Sequence, residues 1–271
     1  MRVKNLRSAG LLAVGVVTLS SFAVSGCAGL ASRLTSKVAA VNLLLDASDP
    51  FGIGAEKTGA VVNLVSITGP INMPVASPIA GASVVMAVGS GASPTNVTLN
   101  ESAPGSYEAV SGSAGAATFV YSSNQVYAIT MNVSSGDFAG TYTTKVTAPP
   151  RTEVSGLPDT LGGQTIPSNM PLSLTVTSGS YDYGIIVVVD SSGAVTYSNK
   201  PQTPQDFVNF VLSNFNGTFT IPATAFPNAG RFYGVSVAGL RSAPASGVSP
   251  NLEILSHFLA GSAKTAVVKT N

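Results

Sequence analysis

The sequence predicts an all-β protein: two tandem antiparallel β-sandwich domains that follow an N-terminal leader and a short tether. Three observations carry this prediction. Apolar and polar residues alternate with period two from Gly59 through most of the remaining chain. Short β-rich runs are punctuated by Gly, Pro, Ser and Asn, with 28 Gly and 17 Pro in 271 residues. Hydrophobic residues reach 45%, enough for a core, while charged residues are only 9%, against about 25% in an ordinary soluble domain. That balance suits sheets whose outer faces carry hydroxyls and amides, and it is not that of a disordered chain.

The first 26 residues are read as an address. Arg2, Lys4 and Arg7 make a positive start, Leu11 to Val24 is an apolar run, and small residues follow, the order of a secretory signal peptide. The run ends Val24-Ser25-Gly26-Cys27 and resembles the bacterial lipobox. The resemblance implies a diacylglyceryl thioether on Cys27, cleavage before it, and further acylation of the new amino group. Two acyl chains anchor a protein stably where one does not. Ala28, in place of Asp, implies the outer membrane if the host has two membranes. An uncleaved transmembrane helix is the alternative, because residues 8–32 carry no charge. Cys27 is the one cysteine in the chain, so no intramolecular disulfide forms. Removing Arg2, Lys4 and Arg7 leaves ten basic and twelve acidic side chains, a net of −2. No basic stripe remains, and no nucleic-acid partner is expected.

Residues 27–58 read as the lipidated N-terminus and tether. Leu34, Val38, Val41 and Leu45 recur at helical spacing and predict a short helix. Asp49-Pro50 and Gly52-Ile53-Gly54 end it.

The first sandwich is predicted over residues 59–148. Its runs are Val61 to Ile67, Val84 to Val88, Val97 to Asn100, Tyr107 to Val110, Ala117 to Tyr121, Val126 to Val133 and Thr141 to Val146. Tyr127, at the head of a run with large residues at every second position, is a candidate structural tyrosine, its hydroxyl bonding back to a preceding corner. Together with Pro104-Gly105-Ser106-Tyr107-Glu108-Ala109, this stretch resembles the carboxypeptidase-regulatory-like or fibronectin-like sandwich modules of exported bacterial proteins.

Ala148-Pro149-Pro150 is the predicted boundary, since each proline fixes φ, and residues 149–271 form the second sandwich. Leu172 to Val176 alternates, Gly184 to Asp190 is continuously apolar, and Ala194 to Tyr197 returns after Ser192-Gly193. Thr203-Pro204-Gln205-Asp206 has the form of a helix start, with Phe207, Phe210, Val211 and Phe215 on one face. Arg231 to Ala238 matches the pattern around Tyr127, making Tyr233 its counterpart. The module resembles fibronectin type III and other Ig-like sandwiches, and Leu252 to Val268 closes it.

Groups suited to chemistry are sparse. His257, the only histidine, lies among apolar neighbours and reads as a packed strand residue. One histidine and no clustered carboxylates do not make an ordinary zinc site, so no metal or cofactor is expected. Gly234-Val235-Ser236-Val237-Ala238 lacks the second glycine of a nucleophile turn. Glu101/Glu108 and Asp182/Asp190 are the carboxylate pairs a glycoside hydrolase would need. The expectation is a membrane-anchored envelope lipoprotein, not an enzyme, with a structural, adhesion or assembly role. Its partners are membrane lipid through Cys27 and an envelope protein or glycan. A carboxylate-pair hydrolase and a small-ligand carrier are the alternatives.

Overall fold

The computed structural model describes residues 37–47, 57–68, 75–89, 93–112, 118–157, 164–179, 181–199, 215–244, 252 and 256–271. The chain is all-β. In order, its strands are β1 (Lys37–Ala47), β2 (Lys57–Thr68), β3 (Val75–Pro78), β4 (Ser83–Val88), β5 (Thr95–Ala103), β6 (Ser106–Val110), β7 (Val126–Val133) and β8 (Gly140–Thr147). They continue with β9 (Val154–Ser155), β10 (Gln164–Ile166), β11 (Leu172–Val176), β12 (Tyr183–Asp190), β13 (Val195–Ser198), β14 (Gly217–Ile221), β15 (Phe232–Pro244) and β16 (His257–Thr270). A 3₁₀ turn, Ala223–Ala225, precedes β15.

Two units divide the chain. Unit 1 holds Met1–Leu45, Thr58–Ala148 and Ser242–Ala260, and unit 2 holds Asp46–Lys57, Pro149–Arg241 and Gly261–Asn271. The division falls between Ala148 and Pro149, but also inside β15 and β16. The contiguous blocks read from sequence are therefore corrected: unit 1 draws β1 and part of the C-terminal strands into its own sheets.

In unit 1, neighbouring strands run β16-β1-β2-β6-β5-β4-β7-β8, with β3 beside β2. β5 makes this order a sandwich. Its first half, Thr95 to Leu99, pairs with β4, and its second half, from Asn100, pairs with β6 through a register shift between Glu101 and Ala103. A strand that changes partner across a bulge turns a corner from one sheet to the next. Side chains at period two from both layers meet in one core: Ala60, Val62 and Leu64 of β2, Val84 and Met86 of β4, Tyr127, Ile129 and Met131 of β7, Phe258 and Ala260 of β16.

The predicted tether helix is corrected, because Lys37–Ala47 is strand β1. Val38, Ala40 and Leu44 face the unit 1 core, while Ala39, Leu43 and Leu45 are buried on the opposite side. A strand buried on both faces is apolar almost throughout, so a helical stripe can be picked out of it by chance. Residues 118–121, read as part of a strand, are not one. Their amides bond to hydroxyls instead: Phe119 N–H donates to Ser111 Oγ at 2.9 Å and Tyr121 N–H to Thr58 Oγ1 at 3.0 Å.

Unit 2 packs a three-stranded sheet, β14-β11-β9, on a four-stranded one, β13-β12-β15-β16, with β10 parallel to the end of β16. Leu172, Leu174 and Ile221 from the first sheet meet Ile186, Val188, Val235, Val237 and Val268 from the second in one core. β12 is paired on both sides, by β13 and β15, but it is not buried on both faces as a continuously apolar run suggests, because Ile185 and Val187 are half-buried. Gly184 on β12 leaves room for the Phe215 ring, which a Cβ there would overlap. Phe207, Phe210 and Val211 of the predicted helix lie outside the described residues.

One buried polar pair interrupts the unit 1 core. The Asn42 side-chain amide, on β1, donates to Thr144 Oγ1 on β8, and both residues are wholly buried. Among the described residues, Asn42 Oδ1 has no hydrogen-bond partner. Breaking such a pair from one side strands a desolvated group, whereas replacing both sides with apolar groups of similar shape is nearly neutral. Thr144→Val should cost about 1–3 kcal/mol, and adding Asn42→Leu should recover much of it. Urea unfolding of the two single variants and the double variant tests this coupling.

Candidate functional site

Cys27 lies outside the described residues. The structural tyrosines lie within them. Tyr127 is the second residue of β7, fully buried. Its hydroxyl accepts from Ser122 N–H at 2.9 Å and donates to the Val120 carbonyl at 3.2 Å, and its ring stacks with Tyr121 at 6.3 Å. Tyr233 is the second residue of β15, and its hydroxyl accepts from Asn228 N–H at 3.1 Å. Phe226 meets its ring edge-on at 5.5 Å. In both cases the phenol ties a strand to the turn that feeds it.

Three further tyrosine hydroxyls bond loop backbone, a role the sequence reading did not assign to them. Tyr107, the second residue of β6, donates to the Ile79 carbonyl at 2.8 Å and accepts from Ala82 N–H at 2.9 Å. Burial raises its pKa, and the neighbouring Glu101 adds to the effect. Tyr142 on β8 donates to the Phe138 carbonyl at 2.8 Å, and burial raises its pKa as well. Tyr181 reaches the carbonyls of Pro150 and Arg151 at 3.2 and 3.0 Å. The available signal was position: Tyr107, Tyr127 and Tyr233 each enter their strand one residue after it starts.

Tyr181 belongs to a tight hydroxyl cluster in unit 2. Thr152 N–H donates to Ser262 Oγ at 2.6 Å, and Thr152 Oγ1 donates to the Ser262 carbonyl at 2.7 Å while accepting from Gly239 N–H at 3.0 Å. A Cβ on Gly239 would lie 2.7 Å from the Tyr181 ring and 2.8 Å from Thr152 Oγ1. Arg151 bridges to Asp46 at 3.1 Å, with the Asp46 side chain only 3% exposed. The stretch after Pro149-Pro150 is thus fastened along its length.

The carboxylate pairs considered for hydrolysis are not pairs. Glu101 aligns with Tyr107 and Glu108 with Asn100 across the β5–β6 ladder, so the two glutamates occupy opposite faces. Glu101 clamps two turns, accepting from Gly81 N–H at 3.1 Å and Gly105 N–H at 3.0 Å. Asp182 and Asp190 stand at opposite ends of β12, about 26 Å apart at strand rise, well beyond the separation of a glycosidase pair. Asp190 closes the β12–β13 hairpin, accepting from Ser192 Oγ at 2.6 Å, Ser192 N–H at 2.8 Å and Ala194 N–H at 3.0 Å. The Ser192 hydroxyl foremost, then these amides, hold its pKa below the usual carboxylate range. Ser236 accepts from Thr265 Oγ1 at 3.1 Å within the sheet.

His257, on β16, has Nδ1 at 2.9 Å from Ser242 Oγ on β15. Ser242 lies on an extended strand rather than on a nucleophile turn. Burial lowers the His257 pKa and favours the neutral ring.

The surface that sheet β14-β11-β9 turns to solvent is lined with hydroxyls. Ser155, Ser173, Thr218 and Thr220 are exposed around half-buried Thr175. Register sets Thr218, Thr175 and Ser155 in one row across three strands and Thr220 beside Ser173 in the next. Thr175 and Thr218 hydroxyls are 2.9 Å apart. Hydroxyls donate and accept without net charge, a chemistry suited to polar, uncharged partners.

No known protein family matches the chain, and no curated protein matches it in sequence. Among solved structures it is similar to the crystal structure of a tetra-tandem repeat in the extending region of a large adhesion protein. The identity is 11% and the TM-score 0.21, over 84% of this chain and 50% of that one. The chain thus spans half the length of that structure.

Two predictions follow from this geometry. Tyr127→Phe and Tyr233→Phe keep the rings and remove the hydroxyls, and each should cost about 1–3 kcal/mol in chemical denaturation. A Tyr127→Phe protein as stable as the parent would show that the corner does not depend on that bond. For His257, the folded pKa lies below the unfolded one, so the unfolded chain takes up the proton first. Stability should be greatest above about pH 6.5 and fall as pH drops through that value. His257→Asn keeps an acceptor for Ser242, and unfolding midpoints on either side of that pH should lose this part of their slope.

Proposed function

We propose that the chain is a bacterial envelope lipoprotein, held on a membrane by acyl groups on Cys27, whose sandwich units do structural, adhesive or assembly work rather than catalysis. The observation that carries this reading is Val24-Ser25-Gly26-Cys27 at the end of an uncharged apolar run behind Arg2, Lys4 and Arg7. A thiol placed where such a run leaves the bilayer is well set for lipidation, and two acyl chains give stable anchoring. With Ala28 after the cysteine, the outer membrane is the proposed location in a two-membrane host.

The roles of the polar groups support the non-catalytic part. Glu101 and Asp190 are occupied in holding turn amides. Tyrosine hydroxyls fasten the turns, which favours rigid display over induced closure. The Ser/Thr rows on β14-β11-β9 offer an uncharged, hydrogen-bonding face to a glycan or an envelope protein.

The test is intact mass spectrometry of the protein extracted from its own host, beside a Cys27→Ala variant. A chain that begins at Cys27 and carries acyl mass, with the variant unprocessed, supports the reading. A full-length chain without lipid rejects the anchor and returns residues 8–32 to the transmembrane alternative.

A further inference from the structure

The edge strands of the two units are unequal, and the inequality points to an interaction surface. Most described edges are short or blocked. β3 has four residues and ends in Pro78, β13 has four, β10 three, β9 two, and β14 five before Pro222. These are the ordinary devices that stop a sheet edge from recruiting another strand. Among the described residues β8 has none of them except one lysine. It is eight residues long, Gly-Thr-Tyr-Thr-Thr-Lys-Val-Thr, without proline, and ends the strand order of unit 1.

The free groups on β8 can be assigned. Ala148 N–H donates to Gln125 O on the β7 side, and β8 pairs with β7 in unbroken antiparallel register from Val126↔Thr147 to Val133↔Gly140. Main-chain groups alternate sides along a strand. Those of Gly140, Tyr142, Thr144 and Val146 therefore bond to β7, and those of Thr141, Thr143, Lys145 and Thr147 point off the sheet. The side chains of Thr141, Lys145 and Thr147 are exposed, and that of Thr143 is half-buried.

We propose that β8 is the site at which a second copy of this chain adds edge to edge, antiparallel, about a two-fold axis through Thr144. Self-complementarity selects this occupant. A register centred on Thr144 uses all four outward residues, in about eight backbone hydrogen bonds, and keeps inward side chains opposite inward ones. It sets Thr141 opposite Thr147, and Lys145 opposite Thr143 rather than opposite the second Lys145. Inside, Tyr142 meets Val146. Threonine rows already pair in this chain, where Thr175 and Thr218 hydroxyls meet across β11 and β14 at 2.9 Å. The contact is isologous, so it closes at a dimer instead of propagating. A single strand pair covers much less than the roughly 1,600 Å² of a standard interface, so the dimer is weak and reversible. This inference does not depend on the lipid anchor.

The test is sedimentation of the full chain in mild detergent over a wide concentration range, with thermal melting of every variant. The parent should pass from monomer to dimer as concentration rises. Lys145→Pro removes an outward N–H without touching a β7 bond, a position where an edge strand tolerates proline. It should weaken the dimer at least about tenfold at an unchanged melting temperature. Thr143→Lys sets lysines opposite each other and should weaken it too, while Thr143→Glu, opposite Lys145, should tighten it. The two Thr143 variants keep the test valid if Lys145→Pro fails to fold. A parent monomeric at every concentration, or a dimer indifferent to all three substitutions, overturns the proposal.

Discussion

Buried and turn backbone groups must find partners in a chain that has almost no charge to offer them. With 9% charged residues and a single histidine, the chain meets that need mainly with hydroxyls, and the tyrosine hydroxyls matter most. A buried phenol fills a core position with its ring and still delivers a donor and an acceptor to a loop backbone at its far end. Tyr107 ties the residues around Ile79 and Ala82, Tyr127 those around Val120 and Ser122, and Tyr233 the turn at Asn228. Each bond is worth only about 1 kcal/mol net, but leaving the buried groups unpaired costs more. The turns of both units are thereby coupled to their cores.

The same economy explains the segment after Ala148. Two prolines in succession mark the boundary, and the residues that follow them are fastened within unit 2. Thr152 occupies the place that a side chain on Gly239 would need and bonds to both Gly239 and Ser262. Tyr181 closes over the carbonyls before it, and Arg151 neutralises the nearly buried Asp46. Glycine at position 239 is thus set by close approach rather than by a turn. Gly261 is another such position, where a Cβ would run into the Gly239 carbonyl. Small residues in the middle of long strands mark where this unit is packed most closely.

Carboxylates follow the same logic. In a chain with so few acids, each attracts a catalytic interpretation, yet Glu101 and Asp190 each hold turn amides. Their separation from Glu108 and Asp182 follows from strand geometry alone: opposite faces in one case, opposite ends in the other. The exposed face of β14-β11-β9 is lined with hydroxyls, and the outward residues of β8 are three threonines and one lysine, surfaces that offer hydrogen bonds more than charge.

Local sequence determined most of the elements. Period-two alternation placed β2, β4, β6, β7 and β11, a continuous apolar run placed β12, and glycine with asparagine marked the turns between them, including Asn124 with φ of 63°. A tyrosine one residue into a strand was legible as a corner at 127 and 233, and the same position at 107 carried the same information. Tertiary structure alone decided the rest. β1 is buried on both faces, so its periodicity is ambiguous until its neighbours β16 and β2 are known. Unit 1 joins Met1–Leu45 to Ser242–Ala260, and Thr152 finds its partner 110 positions away in Ser262. Contacts of that separation leave no periodic trace in sequence, because neither residue type nor spacing identifies a partner that only the strand order brings near.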